Sequence, residues 1–318
     1  MASNLKELVK KNRKYIKEDI NLNELLDKFL LSEQNRKSNY FTPAFHPSLI
    51  SKGVECQMWW YFFLKNYDSA PEKWSDESLT AMAVGKAIHD ETQHILYRMG
   101  ILEGVYQCVN CEQKFWATSP KICPKCGQEF KSWKYLIFKE VPIHTGLIRG
   151  HADGFINQEG NRFLLELKSI KNVDRPNAFY GFEKVTTRPM DDHFIQTQIY
   201  LNCWYEIAKK APVGEEFVVD DNGKVSTEKL SGPVYDGAKL VGVVNQGLVE
   251  YVAKNSSEKK SFLVKRNVAS IQFLLDEMQL IYKAYLEDTL DNLTGIDYTT
   301  NKTKCKNCPY RNVCNWRE

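Results

Sequence analysis

Residues able to do chemistry stand out first in the stretch Gly150-His-Ala-Asp153-Gly154, followed by Leu165-Glu166-Leu167-Lys168. On a strand, residues two apart share a face. Glu166 and Lys168 then point one way, while Leu165 and Leu167 point toward a core. A Glu and a Lys on an otherwise apolar strand are costly to bury without a purpose. Asp153 sits at a glycine-flanked bend ahead of that strand, where it can approach Glu166. Two neighbouring carboxylates repel, and a hard divalent cation, Mg or Mn, relieves the repulsion by taking carboxylate and carbonyl oxygens. An ion held there polarises a phosphate and activates water, while an ammonium orients that water or stabilises negative charge. A plain surface ion pair between Glu166 and Lys168 explains the same pattern, so this stretch alone leaves both readings open.

Two further pairs lie at helical spacing. Gly85-Lys-Ala-Ile-His89 places Gly85 and His89 on one helix face. A helical glycine costs about 1 kcal/mol relative to Ala, so close approach of another group is the expected reason for it. His89 offers an imidazole to a metal, although a helical His is commonly an ordinary polar residue. Gln196-Thr-Gln-Ile-Tyr200 has the same spacing and can face the site and nucleic acid, or simply an amphipathic surface.

Cysteine supplies the other chemistry. The chain has nine cysteines. Cys108-Val-Asn-Cys111 and Cys123-Pro-Lys-Cys126-Gly127 are two knuckles separated by eleven residues, the pattern of a four-thiolate zinc site. Lys114, Phe115, Trp116, Lys121 and Lys125 around them either meet bases and phosphates or pack and are solvated. The segment Cys305-Lys-Asn-Cys308-Pro-Tyr-Arg-Asn-Val-Cys314 has three thiolates and needs a fourth, for which Cys56 is the candidate. Such a set suits zinc or an iron–sulfur cluster. Cys203 is left over and reads as a buried core thiol.

The elements that must position these residues follow from periodicity. Leu5–Leu31 reads as amphipathic helix, followed by a polar stretch, Ser32–Asn39. Pro47–Leu64 reads as one buried helix bearing Cys56, and Ser75–Met99 as a helix capped by Ser75. Strands are expected at Tyr135–Phe138, Gly146–Ile148, around Phe155, at Phe163–Leu167, Leu240–Val244 and Ser261–Val264. Pro189–Ala208 reads as a helix capped by Asp191 or Asp192, Val218–Val225 as a hairpin, and Val268–Leu290 as a long helix. The order of elements predicts a mixed α/β fold, a central mixed sheet flanked by helices. At 43% hydrophobic and 26% charged residues, the composition is that of a soluble globular protein rather than a membrane or disordered chain. The net charge of +3 permits nucleic-acid binding without arguing for it. Basic residues crowd Lys10–Lys17 and Lys302–Arg311, which is also how a solvated surface looks. No apolar run approaches a membrane span and no signal peptide is evident, so a cytoplasmic, thiol-reducing setting is expected.

Taken in order, Gly-x-x-x-His, Gly-x-x-Asp-Gly, Glu-x-Lys and Gln-x-x-x-Tyr resemble the RecB-like branch of the PD-(D/E)XK nuclease superfamily. That branch includes the nuclease domains of RecB and AddB and the CRISPR-adaptation exonucleases. The resemblance covers about Cys56 to the C-terminus. It implies a restriction-endonuclease-like core and a Mg- or Mn-dependent exonuclease acting on single-stranded DNA ends. In that family's terms His89, Asp153, Glu166 and the Leu167 carbonyl hold the metal, and Lys168 is the catalytic lysine. Gln196 and Tyr200 form the accessory motif, and Glu140 aligns with an acidic position of some members. The segment from Ser48 to Cys56 resembles the helix bearing the lone early cysteine of iron–sulfur members. This implies a [4Fe–4S] cluster on Cys56, Cys305, Cys308 and Cys314, alongside Zn on the mid-chain knuckles. The implied organisation is a helical extension over 1–45 and a nuclease domain over 46–318, with a zinc-knuckle insertion at 106–130 and an iron–sulfur tail at 301–318. Two other readings remain: a non-catalytic DNA-binding scaffold and an RNA-directed nuclease. No helicase-type nucleotide-binding loop is present, so strand unwinding would fall to a separate protein.

Overall fold

The computed structural model describes residues 43–51, 56–67, 76–170, 181–219, 225–229, 231–256, 258–295, 305–306 and 308–314. The helices expected over Leu5–Leu31, the polar stretch after them, and most of the two basic clusters lie outside these residues. The chain divides into two units, one comprising Met1–Tyr40 with Glu72–Ala83, the other Phe41–Pro71 with Val84–Glu318. Every site described below belongs to the second.

In chain order the described elements are α1 (Pro47–Ile50), α2 (Gln57–Leu64), α3 (Asp76–Arg98), β1 (Leu102–Cys108), β2 (Lys114–Thr118), β3 (Leu136–Lys139), β4 (Val141–Thr145), β5 (Ile148–Ala152), β6 (Gly154–Gln158) and β7 (Asn161–Ile170). They continue with α4 (Asp191–Lys210), β8 (Glu215–Val219), β9 (Val225–Lys229), α5 (Pro233–Val241), β10 (Gln246–Ala253), β11 (Lys259–Lys265) and α6 (Gln272–Glu287). Seven described strands form the central sheet, in the order β11-β10-β7-β6-β1-β2, with β3 also paired to β1. The sheet is mixed: β7 and β10 run parallel, and the other pairs are antiparallel. A parallel pair needs a crossover, and here the chain between them contains α4 and α5.

Strand β7 shows why the sheet is the scaffold of the site. Leu164, Leu165, Glu166 and Leu167 are all buried, as expected for a strand covered on both faces. Leu164 joins the larger core with Ile199 and Trp204 of α4. Leu165 and Leu167 join a second core with Tyr97 of α3 and Tyr106 of β1. Glu166, on the Leu164 face by strand alternation, is therefore directed toward the α4 side.

Several expectations need correction. Leu240–Val244 is not a strand: Leu240 and Val241 close α5, and β10 starts at Gln246. The apolar run there is the C-terminus of a short helix and the turn after it, with Leu240 and Val243 exposed and Val244 buried, which periodicity cannot separate from a strand. The helix expected over Pro47–Leu64 is two, α1 and α2, and Cys56 is the N-cap of α2. The long C-terminal helix starts as a 3-10 turn at Val268–Ile271 and stops at Asp288, whose backbone is left-handed. Met190, not Asp191 or Asp192, is the N-cap of α4; both Asp side chains sit in the first turn, where they favour the helix dipole. Residues 146–147 form a turn, and the strand begins at Ile148. The knuckles ride on the central sheet, since β1 ends at Cys108 and β2 pairs alongside it.

Candidate functional site

Asp153 lies between β5 and β6, and its carboxylate turns to β7. Its Oδ2 accepts the Leu167 amide at 2.6 Å, and its Oδ1 faces His89 Nδ1 at 3.3 Å. Gln93, one helical turn beyond His89 on α3, donates Nε2 to the Asp153 carbonyl at 3.0 Å. On β7, Lys168 Nζ lies 2.6 Å from Glu166 Oε1 and donates to Gln196 Oε1 at 2.9 Å. Gln196 Nε2 approaches the Tyr200 hydroxyl at 3.5 Å. Gly150 of β5 lies under that ring: a Cβ there would stand 2.8 Å from Tyr200 and 2.9 Å from Pro47. Gly85 likewise has a close neighbour, as its position in a helix suggested, in the Ser169 hydroxyl one residue past Lys168.

Electrostatics at this point are strained. Burial pushes the Glu166 carboxyl up to about 7; Asp153 adds to the rise and Lys168 opposes it. Burial disfavours the Lys168 ammonium, but Glu166 outweighs that and holds the group charged. Burial also works against charge on His89, and its contact with Asp153 more than offsets this, leaving the imidazole above its ordinary value. Glu140, raised by burial and then by Asp153, belongs to the same field. Glu166 Oε2 is buried and has no hydrogen-bond partner among the described residues.

The fold thus brings together His89, Asp153, Glu166, Lys168, Gln196 and Tyr200, which are scattered over more than a hundred residues of sequence. Leu167 donates its amide to Asp153. Gln196 and Tyr200 are buried, with Gln196 accepting from Lys168 and approaching the Tyr200 hydroxyl. The ligand atoms of His89, Asp153 and Glu166 do not all lie within 4.8 Å of one another, because Asp153 is turned to His89 and the Leu167 amide. Sequence reasoning missed Gln93, although its i+4 spacing from His89 was a usable signal. It also missed a cluster beside the site. The β4–β5 register places His144 opposite Arg149, His151 is two residues on, and the His144 and His151 rings are 5.7 Å apart. The His46 imidazole meets the Arg149 backbone. Only strand register reveals that gathering.

The two cysteine sets differ in geometry. Cys108, Cys111, Cys123 and Cys126 converge, with all four sulfurs within 4.8 Å of one another; Cys108 to Cys126 is 3.8 Å and Cys111 to Cys123 is 3.6 Å. These four can hold a metal. The Gln128 amide, then Cys111 and Asn110, hold the Cys126 thiol down at about 6. The other set is wider. Tyr310, between Cys308 and Cys314, is buried against Trp59 and Phe62 of α2, and this packing brings the tail to Cys56. Burial raises the Cys308 thiol, and Cys56, Cys314 and Cys305 each raise it further, so the four thiols form one group. No three of them fall within 4.8 Å of one another. Cys203 is a core thiol, pushed up to about 12 by burial and accepting the Thr145 hydroxyl at 3.1 Å. Phe115 stacks on Phe130, and Trp116 stacks on Trp204. Both rings pack inside rather than facing a base.

No family model matches the chain. No curated protein matches it. Among solved structures, the crystal structure of SSO0001 is similar over 93% of this chain and 98% of that one, at 12% identity and a TM-score of 0.38. That superposition is too loose to carry an argument about function. Among the described residues, no helix is long and apolar enough to cross a membrane.

Proposed function

We propose that the chain is a divalent-cation-dependent DNA nuclease of the RecB-like kind, hydrolysing phosphodiester bonds at single-stranded ends. The observation that carries this is Glu166 Oε2, a buried carboxylate oxygen without a partner, beside a second carboxylate and a buried lysine. Buried polar atoms are nearly always satisfied, and an orphan in a native site calls for an absent ligand. The donor set of two carboxylates and an imidazole fits a hard cation, so Asp153, Glu166 and His89 would hold Mg or Mn. When bound, that ion supplies Lewis-acid polarisation of a phosphoryl oxygen. Lys168, fixed between Glu166 and Gln196, keeps a positive charge where negative charge builds on the phosphate. Gln93 fixes the backbone at Asp153, and Tyr200 backs Gln196, so neither reacting side chain has to be ordered when substrate arrives.

The converging cysteine set fits zinc. A tetrahedron with Zn–S bonds of about 2.3 Å has sulfur–sulfur edges of about 3.8 Å, against 3.6 and 3.8 Å here. The wider set, one thiol group spread beyond single-ion spacing, fits a polynuclear cluster, and we assign it [4Fe–4S]. The test of the nuclease is degradation of end-labelled single- and double-stranded DNA in Mg or Mn by anaerobically prepared protein, beside Asp153→Ala. Metal-dependent cleavage that the variant loses supports the reading, and equal cleavage by both proteins removes it.

A further inference from the structure

A cleft of about 690 Å³ opens at the C-terminal end of α3, between that helix and the loop that carries the second cysteine knuckle. Its size is that of a small-molecule or nucleotide site. Arg98, Lys121, Lys131 and Lys134 line it together with Tyr97 and Trp133. Lys131 faces Glu129 at 3.1 Å. Arg98, Lys121 and Lys134 have no carboxylate partner among the described residues. The aromatic side is ordered: Trp133 meets Tyr97 edge-on at 4.9 Å and stacks on His94 at 5.1 Å. The Tyr97 hydroxyl is committed to the Pro120 carbonyl at 2.7 Å, which fixes the ring. Lys121 stands 4.8 Å over the Tyr97 ring. Three cations without a carboxylate partner among the described residues repel one another around one concavity and select an anion, while Trp133, the half-buried ring at the same place, offers a flat apolar partner. A nucleotide has both parts.

The position along α3 decides what kind of nucleotide. His89, Gln93 and Tyr97 follow one another at i+4 steps, so they form one stripe on the helix. Gln93 and Tyr97 are buried, so the stripe faces the core, and it measures the separation of the His89–Asp153 contact from the cleft as eight residues, or about 12 Å at 1.5 Å per residue. A strand of a few nucleotides spans that length. We propose that this cleft is a single-stranded DNA subsite, in which Trp133, backed by the buried Tyr97 ring, stacks a base and Arg98, Lys121 and Lys134 meet its flanking phosphates. The subsite rests on the nuclease reading for its choice of DNA and would hold the strand about 12 Å from the His89–Asp153 contact.

The test uses the full chain with zinc retained and no added Mg or Mn, so that the strand stays intact. Binding of a short fluorescein-labelled oligothymidylate is followed by anisotropy across a salt series. The double variant Arg98→Glu/Lys121→Glu, changed at exposed positions, is expected to bind at least about tenfold more weakly, and its salt slope should be shallower by about 0.7 per lost contact. Trp133→Ala should weaken binding by about tenfold while Trp133→Phe restores most of it. Wild-type affinity and wild-type salt slope in the double variant would overturn the subsite, as would failure of the wild type to bind the oligonucleotide at all. Cleavage in Mg or Mn is scored separately. Loss of binding in the cleft variants with no cleavage by the wild type leaves the subsite standing and removes the active-site reading. Cleavage with unaltered binding in the cleft variants does the reverse.

Discussion

Glu103 and Glu166 are buried carboxylates on the same sheet, each beside a cation, and they are finished differently. Glu103 accepts Trp116 Nε1 at 3.1 Å on one oxygen and Arg162 Nε at 2.9 Å on the other. Glu166 spends Oε1 on Lys168 and leaves Oε2 with nothing. A buried pair whose oxygens are all satisfied belongs to the fold, because removing one partner strands the other. A buried carboxylate left incomplete spends stability on something the fold does not need. The contrast separates architecture from chemistry without reference to any relative.

The largest expected effect breaks the comparison on the Glu166 side. Asp153→Ala and Glu166→Gln should each reduce metal-dependent cleavage at least about a hundredfold, measured as product from end-labelled DNA. Glu166→Gln takes the charge partner from Lys168 but relieves a carboxyl that burial has pushed up to about 7, so it should cost less stability in urea unfolding than the change at Glu103. A large loss of stability with cleavage intact would reverse the two roles. On the other side, Glu103→Gln should cost about 3 kcal/mol or more by leaving Arg162 without its charge partner, with cleavage intact at temperatures where the variant is folded. Gly237→Ala approaches the same result from behind: a Cβ there would lie 2.1 Å from the Trp116 ring. It should lower the urea midpoint by displacing Trp116 from Glu103.

A smaller effect concerns pH. Glu166 is raised to about 7 from an ordinary 4.5, so the folded state binds this proton more tightly than the unfolded chain. That contribution to stability is fully present below pH 4.5 and is lost as pH rises through 7. The slope of stability against pH in this window should flatten in Glu166→Gln and remain in Glu103→Gln. The smallest effect is expected from Gly150→Ala, where only the Tyr200 and Pro47 contacts must give. Cleavage should fall several-fold through misplacement of Gln196 and Lys168, read as a lower kcat with nearly unchanged unfolding.

The polar residues that the fold gathers were legible because each part has a local period: Glu166 and Lys168 two apart on a strand, His89 four after Gly85, and Gln196 four before Tyr200. Residue type and spacing suffice there. What they could not show is orientation. Nothing in the spelling of Gln196 and Tyr200 shows that both side chains are buried or that Gln196 accepts from Lys168. The His46, His144, Arg149 and His151 gathering depends on the β4–β5 register, a long-range property. The mid-chain knuckles could be read from spacing alone. Cys56 joins the tail through Tyr310 packed on Trp59 and Phe62, a contact across the length of the chain that local pattern does not encode. The misread strand at Leu240–Val244 was a helix end, where a short apolar run carries no usable period.

The two thiol sets also differ in when they can exist. The ligands of the first lie within nineteen consecutive residues, Cys108 to Cys126, and are complete as soon as that stretch leaves the ribosome. Cys56 must wait for Cys305, some 250 residues later, which at about 5–20 residues per second is roughly 10–50 s of synthesis. During that interval the Cys56 thiol has no tail to meet. A nascent chain that loads metal on both sets would therefore do so in sequence, the compact site early and the wide one only after the tail cysteines emerge, with the second open to oxidants and competing ions for longer.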